Sequence, residues 1–272
     1  MSLAGPATPP PRQAALPGVS LCYRDSGGPN GGTGAPIVLL HANTGTSASW
    51  EPQFAAFTAA GHRVIAFDRR FWGNSLADPA TGPQPGSVAE DLDALANHLN
   101  LPPFHLLGVA GGGFIALDYA GWRQDRLRSL TVAASTGAFS EPEMEQLTRN
   151  VLFDGFRQLP ESFREIGPSF RALHPERTEA WAHAQEVAKQ KDAPTQPSLR
   201  TPNTFAKIAA IRLPMLAITA SADLYAPPTL MARWLRHVPQ AKVVAIADAG
   251  HSVPMEQPEQ FNTAVLAFLG RV

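Results

Sequence analysis

The sequence has few of the features that mark secreted, membrane-spanning or nucleic-acid-binding proteins. Cys22 is the one cysteine in 272 residues, which excludes an intrachain disulfide and a metal site made of several cysteines. No apolar run approaches the roughly 18–20 residues that a transmembrane helix needs. The 22 basic and 23 acidic residues nearly cancel, so a net charge of −1 argues against broad attraction to nucleic acid or anionic lipid. We expect a cytoplasmic protein without nucleic-acid or membrane partners.

The N-terminus lacks the apolar core of a signal peptide. Its first residues, MSLAGPATPPPRQAALPG, are rich in proline and alanine. We predict a flexible N-terminal arm over residues 1–18.

Beyond the arm, short apolar runs alternate with amphipathic stretches. Residues 19–25 alternate apolar and polar side chains, as an antiparallel strand with one solvated face does. Other runs are apolar throughout, which fits strands buried on both faces of a parallel sheet; they lie at 36–41, 63–68, 104–108, 129–134, 214–220 and 242–247. Ser87, followed three residues later by Glu90, has the spacing of a helix-opening capping box. The alternation predicts an α/β fold, an open sheet flanked by helices.

Residues 137–207 interrupt this alternation, because they contain helical pieces and a proline-rich connection but no convincing strand. We predict a helical cap over 137–207, inserted before the last two strands, and a core formed by residues 19–136 and 208–272. Such an insertion can cover a pocket at the carboxyl edge of a parallel sheet.

The stretch LLGVAGGGFIALDYA, residues 106–120, predicts a buried strand, a glycine-rich turn and a helix. Its glycines fall at 108, 111, 112 and 113, so the first spacing of a dinucleotide-binding Gly-x-Gly-x-x-Gly motif fails. A phosphate-binding P-loop would need a lysine followed by serine or threonine, where Phe114 and Ile115 stand. Nucleotide binding is therefore a poor fit.

The same stretch does match the turn that presents a serine nucleophile in Gly-x-Ser-x-Gly, except that the serine is missing. Gly108 and Gly112 are in place, and Ala110 stands between them. Asp223 follows a later buried strand, and His251 lies in a loop before the last predicted helix. The order of nucleophile position, acid and histidine is that of the hydrolases built on this turn.

On these residues the chain resembles the α/β-hydrolase-fold proteins of the small-molecule type, related to C–C-bond hydrolases, esterases and haloperoxidases. The stretches LLHANTGTSASW (39–50) and VIAFDRRFWGNS (64–75) are similar to the family's oxyanion loop and its Asp-x-x-Gly-x-Gly-x-Ser segment. The resemblance implies a mostly parallel sheet of about eight strands. It also implies an enzyme that acts on a small-molecule substrate and requires neither a metal nor an organic cofactor.

By the same resemblance, the backbone N–H groups of Asn43 and Gly111 would form the oxyanion hole, and His251 would be the general base oriented by Asp223. Two departures from the family pattern accompany Ala110. Ala42 replaces the usual glycine after the oxyanion-loop histidine, and Phe71 replaces a glycine, so that its ring is expected near the pocket.

An alanine at the nucleophile position excludes an acyl-enzyme intermediate. One interpretation is a natural member without the serine, in which His251 activates water or removes a substrate proton. Another is an inactivated Ser-to-Ala variant of an otherwise standard enzyme. A third hypothesis, of a different class, is a non-catalytic pseudoenzyme that binds a ligand. Ser135 and Thr136, which follow the next strand, are weak candidates to replace the missing hydroxyl.

The substrate class is only outlined by the sequence. The apolar cap favours a hydrophobic or aromatic ester, amide or C–C-bond substrate, and Arg149, Arg157 and Arg164 could meet a carboxylate. A homodimer is left open.

Overall fold

The computed structural model describes residues 8–28, 34–191 and 193–272. A nine-stranded sheet forms the centre of the molecule. The strands are β1 (Arg12–Leu16), β2 (Val19–Asp25), β3 (Gly34–Leu40), β4 (His62–Phe67), β5 (Leu76–Ala77), β6 (Phe104–Val109), β7 (Leu127–Ala133), β8 (Met215–Ala220) and β9 (Lys242–Ile246). The α-helices are α1 (Glu51–Ala59), α2 (Val88–His98), α3 (Gly111–Trp122), α4 (Pro142–Val151), α5 (Glu161–Glu165), α6 (Pro168–Leu173), α7 (Pro175–Glu186), α8 (Phe205–Ala209), α9 (Pro228–Leu235), α10 (Val253–Glu256) and α11 (Pro258–Leu269).

The sheet is mostly parallel. Its strand order is β1-β2-β4-β3-β6-β7-β8-β9, with β5 paired to β2. Strands β4, β3, β6, β7, β8 and β9 pair in parallel, whereas β1, β4 and β5 pair with β2 antiparallel. The predicted α/β-hydrolase fold is thereby confirmed.

Both faces of the sheet are buried, which explains why the central strands are apolar at successive positions. In β3, Val38 and Leu40 belong to one hydrophobic cluster and Ile37 and Leu39 to the other. Helices α2, α3 and α9 contribute to the first cluster, and α1 and α11 to the second. The result is a three-layer arrangement that leaves the carboxyl ends of the parallel strands at one edge.

Local sequence signals account for several helix boundaries. The Glu90 N–H donates to the Ser87 hydroxyl at 3.2 Å, which is the first half of the predicted capping box. The Glu90 carboxylate accepts the Ser87 hydroxyl at 2.7 Å instead of the Ser87 backbone N–H, so the second half is not formed. On α9, Leu230, Met231 and Trp234 form a buried apolar stripe. Tertiary packing of such stripes supplies most of the stability of helices this short.

The N-terminal prediction is wrong in part. Residues 12–16 form β1, in register with β2 from Arg12 opposite Tyr23 to Leu16 opposite Val19. Ala14 and Leu16 are buried while their neighbours are exposed, a period-two pattern that the surrounding prolines conceal. With β1 and the two-residue β5, the sheet has nine strands instead of eight. Residues 1–7 of the predicted arm lie outside the described residues.

The helical insertion lies between β7 and β8. Helices α4 to α7 fall within the predicted 137–207, and α8 crosses its predicted end. The described residues of this segment contain no strand, only isolated bridges from Phe139 to Asn203 and from Lys189 to Trp72. None of the helices that the described residues form is long and apolar enough to cross a membrane.

Candidate active site

The site is built around a sharp turn between β6 and α3. Ala110 occupies that turn with φ 51° and ψ −117°, a conformation that is unfavourable for a residue with a side chain. Its N–H donates to the carbonyl oxygen of Ala133 at 3.0 Å, and its carbonyl oxygen accepts the hydroxyl of Ser135 at 2.8 Å. The end of β7 and the residues that follow it therefore hold the strained turn on both sides of Ala110.

The flanking glycines are required by close backbone approach. A Cβ on Gly108 would overlap the carbonyl oxygen of Gly112, and a Cβ on Gly112 would overlap that of Leu40. Those obstacles are backbone atoms, which cannot move aside like a flexible side chain. The turn is thus the strand–turn–helix that the glycine spacing predicts, with a methyl group at its tip.

Asp223 and His251 come together from two loops, one after β8 and one after β9. His251 Nδ1 lies 2.9 Å from Oδ2 and 3.0 Å from Oδ1 of Asp223. Asp223 Oδ1 also accepts the N–H groups of Tyr225 at 2.8 Å and Ala226 at 2.9 Å, which fix the carboxylate. Both side chains are buried, and His251 Nε2 has no hydrogen-bond partner among the described residues.

Competing effects set the protonation of His251. Burial alone would lower its pKa, but the carboxylates of Asp223, Glu165 and Glu256 outweigh burial and raise the pKa of His251 to about 9. These carboxylates therefore favour the protonated imidazole at neutral pH. The imidazole can donate a proton there, and it becomes a base as the pH approaches 9.

The two predicted oxyanion-hole donors lie side by side. A Cβ on Gly111 would overlap the side-chain oxygen of Asn43, so the two residues are in contact. Gly111 is the first residue of α3, where N–H groups have no intrahelical acceptor. Among the described residues neither backbone N–H has a hydrogen-bond acceptor. Both are available to a negatively charged oxygen.

The oxyanion loop is held by hydrogen bonds to the carbonyl oxygen of Ala42. This oxygen accepts from Gly45 N–H at 3.2 Å, from Arg69 Nη2 at 3.1 Å and from His41 Nδ1 at 2.7 Å. The second ring nitrogen of His41 accepts the N–H of Arg69 at 3.1 Å, which assigns a neutral tautomer. Burial holds the pKa of His41 well below its usual range, so the ring stays neutral.

Arg69 is a site residue that no sequence motif marks. It is fully buried, its Nη2 donates to Asn43 Oδ1 at 3.0 Å, and its guanidinium carbon lies 4.2 Å from the ring centroid of Trp72. Two other guanidinium nitrogens, Nε and Nη1, have no partner among the described residues. Burial lowers the pKa of Arg69 to about 9. The positively charged guanidinium of Arg69 is therefore hydrogen-bonded to the Asn43 side chain.

Glu165 is a second residue that sequence reasoning misses. It ends α5 in the insertion, is buried, and makes no side-chain hydrogen bond among the described residues. Burial raises its pKa to about 7. No local motif marks it, because its importance depends on its proximity to Asp223 and His251, which are distant in sequence.

A cavity of about 410 Å³ opens beside these groups. Val109, Ala42 and His251 line it together. Ala110, Gly111, Asn43 and Asp223 are not among the lining residues, although Val109 precedes Ala110 and both chain neighbours of Asn43 belong to the lining. The insertion supplies a further wall, which consists of Arg177, Ala180, Trp181, Ala184 and Ala188. This size is within the range of small-molecule sites.

Several expectations about neighbouring residues are corrected. Phe71 has a left-handed backbone with φ 69°, but it is not among the residues that line the cavity. The arginine that does line it is Arg177, and Arg149, Arg157 and Arg164 do not. Arg164 instead donates to the hydroxyl of Tyr225.

Ser135 and Thr136, the two candidates to replace the missing nucleophilic hydroxyl, do not supply it. The Ser135 hydroxyl is occupied by the Ala110 carbonyl oxygen, and Ser135 is fully buried, so it is not a free nucleophile. Thr136 is absent from the cavity lining.

Among residues 8–28, 34–191 and 193–272, no group of three or more His, Cys, Asp or Glu side chains is arranged to hold a metal ion.

Comparisons with known proteins agree with this geometry. The family model described as "Alpha/beta hydrolase family" matches residues 37–264. A relative from Mycobacterium tuberculosis named "Putative non-heme bromoperoxidase BpoC" is 28% identical over 93% of this chain and 99% of its own. The 3-oxoadipate enol-lactonase 1 of Acinetobacter baylyi is 28% identical over 85% of this chain and 88% of its own. The malate-bound structure of a thermophilic esterase from Thermogutta terrifontis superposes with a TM-score of 0.75 at 26% identity, covering 96% of this chain and 98% of the esterase.

Proposed function

The chain belongs to the alpha/beta hydrolase family, and we propose that it is a hydrolase-like enzyme in which His251 acts as general base without a serine nucleophile. Similar proteins are named as an enol-lactonase and an esterase, which supports chemistry at an ester-type carbonyl.

One observation carries the proposal. The free Nε2 of His251 and the unshared N–H groups of Asn43 and Gly111 belong to structural elements that surround one cavity. A proton acceptor and an oxyanion site are the parts of acyl-transfer machinery that act on the reacting carbonyl, apart from the nucleophile itself. Water can supply that nucleophile, because Ala110 leaves only a methyl group at the tip of the turn.

The proposed reaction is a direct hydrolysis. His251 Nε2 takes a proton from a water molecule whose oxygen bonds to the substrate carbonyl carbon, and the carbonyl oxygen becomes an oxyanion between Asn43 and Gly111. The tetrahedral intermediate then breaks the bond to the leaving group, which receives the proton from the imidazolium. Asp223 holds Nδ1–H throughout and stabilises the charged ring. General-base assistance of this kind contributes about 10²–10⁴-fold.

The cavity favours a small substrate with an apolar or aromatic body. Trp50 and Trp181 provide two large rings in its lining, and three alanines of the insertion provide a smooth wall. An oxyanion site of this kind suits the hydrolysis of an ester, of an amide, or of a carbon–carbon bond next to a carbonyl group. Arg177 adds a guanidinium group to the lining.

The test is a turnover assay with a series of short-chain aryl esters. We expect slow hydrolysis by the unsubstituted chain, with a rate that increases between pH 7 and about 9 as His251 loses its proton. His251→Ala removes the activity, whereas His98→Ala, at the exposed end of α2, keeps it.

Activity that survives His251→Ala would contradict the proposed role of the histidine. Tight binding of esters or their acids without any turnover would instead indicate a pseudoenzyme that binds a ligand. Equilibrium binding measured on the same samples distinguishes these two results.

A further inference from the structure

The end of α5 is fastened to the loop that carries His251. The carbonyl oxygen of Glu165 accepts the N–H of His251 at 2.8 Å. The N–H of Gly167 donates to the Glu256 carboxylate at 2.8 Å, and the same carboxylate oxygen accepts the N–H of Gly250 at 2.9 Å. These contacts fix the histidine loop to the insertion through both backbone and side-chain groups.

The same short helix also reaches the loop that carries the acid. Arg164 donates to the hydroxyl of Tyr225, whose backbone N–H donates to Asp223 Oδ1 at 2.8 Å. The ring of Tyr225 lies 4.9 Å, centroid to centroid, from the ring of His251. Two consecutive residues of the insertion, Arg164 and Glu165, thus contact both members of the buried pair or their immediate neighbours.

The carboxyl group of Glu165 is left without compensation by hydrogen bonds. Glu165 is 6% exposed, and its Oε2 has no partner among the described residues. Within the same residues no basic side chain forms an ion pair with it. A buried carboxylate in that situation is costly unless it is protonated or faces a positive charge. The charges of His251 and Arg164 favour the charged form of Glu165, and those of Asp223 and Glu161 oppose it.

Glu165 differs from the other acids that face His251. Asp223 bonds the ring directly and has two backbone N–H groups as further donors. Glu256 is held by the backbone N–H groups of Gly167 and Gly250. Glu165 has no such hydrogen-bond donors, and its backbone carbonyl oxygen accepts the N–H of His251, so its carboxyl group is anchored next to the histidine loop with only electrostatic attraction to His251 and Arg164 favouring its charge.

We propose, on the basis of the function proposed above, that Glu165 is a positioning residue that acts through His251, a second anion that keeps the imidazole protonated and in place while α5 is packed on the histidine loop. Its own protonation, or its removal, leaves Asp223 as the main anion at the ring. The ring then releases its proton at lower pH and becomes available as a base closer to neutrality. The insertion thereby controls the proton chemistry of the site.

The direct test is an NMR pH titration of the His251 ring in protein with isotope-labelled histidine. Relative to the unsubstituted chain, Glu165→Gln is expected to lower the pKa of His251 by about one unit or more. Asp223→Asn, which removes the bonded anion, serves as the positive reference. Glu145→Gln is the matched control in the same insertion, because the side chain of Glu145 is 54% exposed and pairs with Arg149, away from Glu165 and His251. This control is expected to leave the titration of His251 unchanged.

A folded Glu165→Gln variant in which His251 titrates as in the unsubstituted chain would overturn the proposal. If that variant does not fold, the carboxyl ¹³C resonance of Glu165 in the unsubstituted chain decides the question. A step in that resonance at the pH where the His251 ring loses its proton supports the proposal, and a resonance that does not respond to the titration of His251 overturns it. These measurements need no turnover, so failure of the hydrolase assay contradicts the proposed function and leaves this inference separately testable. Where turnover is present, the pH–rate profile of Glu165→Gln shifts to lower pH.

Discussion

The hydroxyl of Ser135 donates a hydrogen bond of 2.8 Å to the carbonyl oxygen of Ala110. This contact stabilises the strained turn from just beyond the neighbouring strand, although the turn carries no nucleophile. The geometry that would present a side-chain oxygen is therefore maintained independently of that oxygen. The chain therefore keeps the backbone turn that presents a nucleophilic hydroxyl, although Ala110 has no hydroxyl.

Restoring the hydroxyl is the first prediction. Ala110→Ser places an oxygen at the tip of a turn that already has the required φ and ψ, in a chain whose His251 is fixed by Asp223. We expect hydrolysis of aryl esters to increase by at least about 10³-fold, with a burst of acyl-enzyme formation, because loss of the triad serine in subtilisin costs about 10⁶ in kcat.

The matched control is Ala134→Ser. Ala134 is also buried with a positive φ of 46°, but it follows β7 and not the nucleophile position. It should give no burst. Equal activity of the two serine variants would show that the turn at Ala110 is not a nucleophile elbow.

The second prediction concerns the stability of the fold as the pH changes. The pKa of His251 is raised to about 9 in the folded chain, above the value of about 6.5 expected on unfolding. The imidazolium therefore stabilises the fold fully below pH 6.5, and this contribution is lost as the pH rises from about 6.5 through 9. The difference in unfolding free energy between the unsubstituted chain and His251→Gln should shrink across that window, by at most about 1.4 kcal/mol per pH unit.

Urea denaturation at several pH values measures that difference. His98→Gln is the control, since His98 is exposed and makes no hydrogen bond or ion pair among the described residues. We expect its stability to follow that of the unsubstituted chain. A difference for His251→Gln that stays constant from pH 6.5 to 9 would contradict the raised pKa of His251.

The third prediction tests the backbone approach beneath the turn. Gly112→Ala forces a methyl group against the carbonyl oxygens of Leu40 and His41. We expect a loss of at least about 2 kcal/mol in unfolding free energy, because backbone atoms of the β3 end and of α3 would have to separate. Gly28→Ala meets no atom within 4 Å and should change stability by less than about 0.5 kcal/mol. Similar stabilities for the two variants in chemical denaturation would disprove the described packing.

The fourth prediction concerns the wall that the insertion contributes. Trp181→Ala enlarges the cavity and removes an apolar surface against which a ring can pack. We expect KM for aryl esters to increase about tenfold, with a smaller change for short alkyl esters, because the lost contact is mainly apolar. Trp122→Ala, a partly buried tryptophan of α3 outside the cavity lining, is the control. Equal increases in KM for aryl and alkyl esters would argue against an aromatic substrate.

The sequence predicts best those features that depend on local rules. Gly108, Gly112 and Ala110 identify the turn because only certain residue types fit its backbone, and the structure has that turn. Asp223 and His251 are recognisable because they follow buried strands, and the structure joins them by hydrogen bonds of 2.9 and 3.0 Å. Their catalytic roles, and those of Asn43 and Gly111, remain predictions.

Features that depend on long-range packing cannot be predicted from local sequence rules. Strand β1 escapes prediction because prolines surround a pattern of only five residues. Arg69 and Glu165 look like ordinary surface charges in the sequence, and only the folded chain shows that both are buried beside the site. Trp181 and Arg177 lie on a helix of mixed composition, so nothing local distinguishes the residues that face the cavity.

The insertion between β7 and β8 has a consequence for protein engineering. Trp181 shapes the substrate wall, and Glu165 touches the histidine loop, yet both belong to the same continuous piece of chain. Under the proposed function, we expect exchange of this piece with that of a relative to alter substrate selectivity and the optimum pH together. A designer who wishes to change selectivity alone should graft α7 and keep the end of α5, so that the new wall is combined with the original proton chemistry.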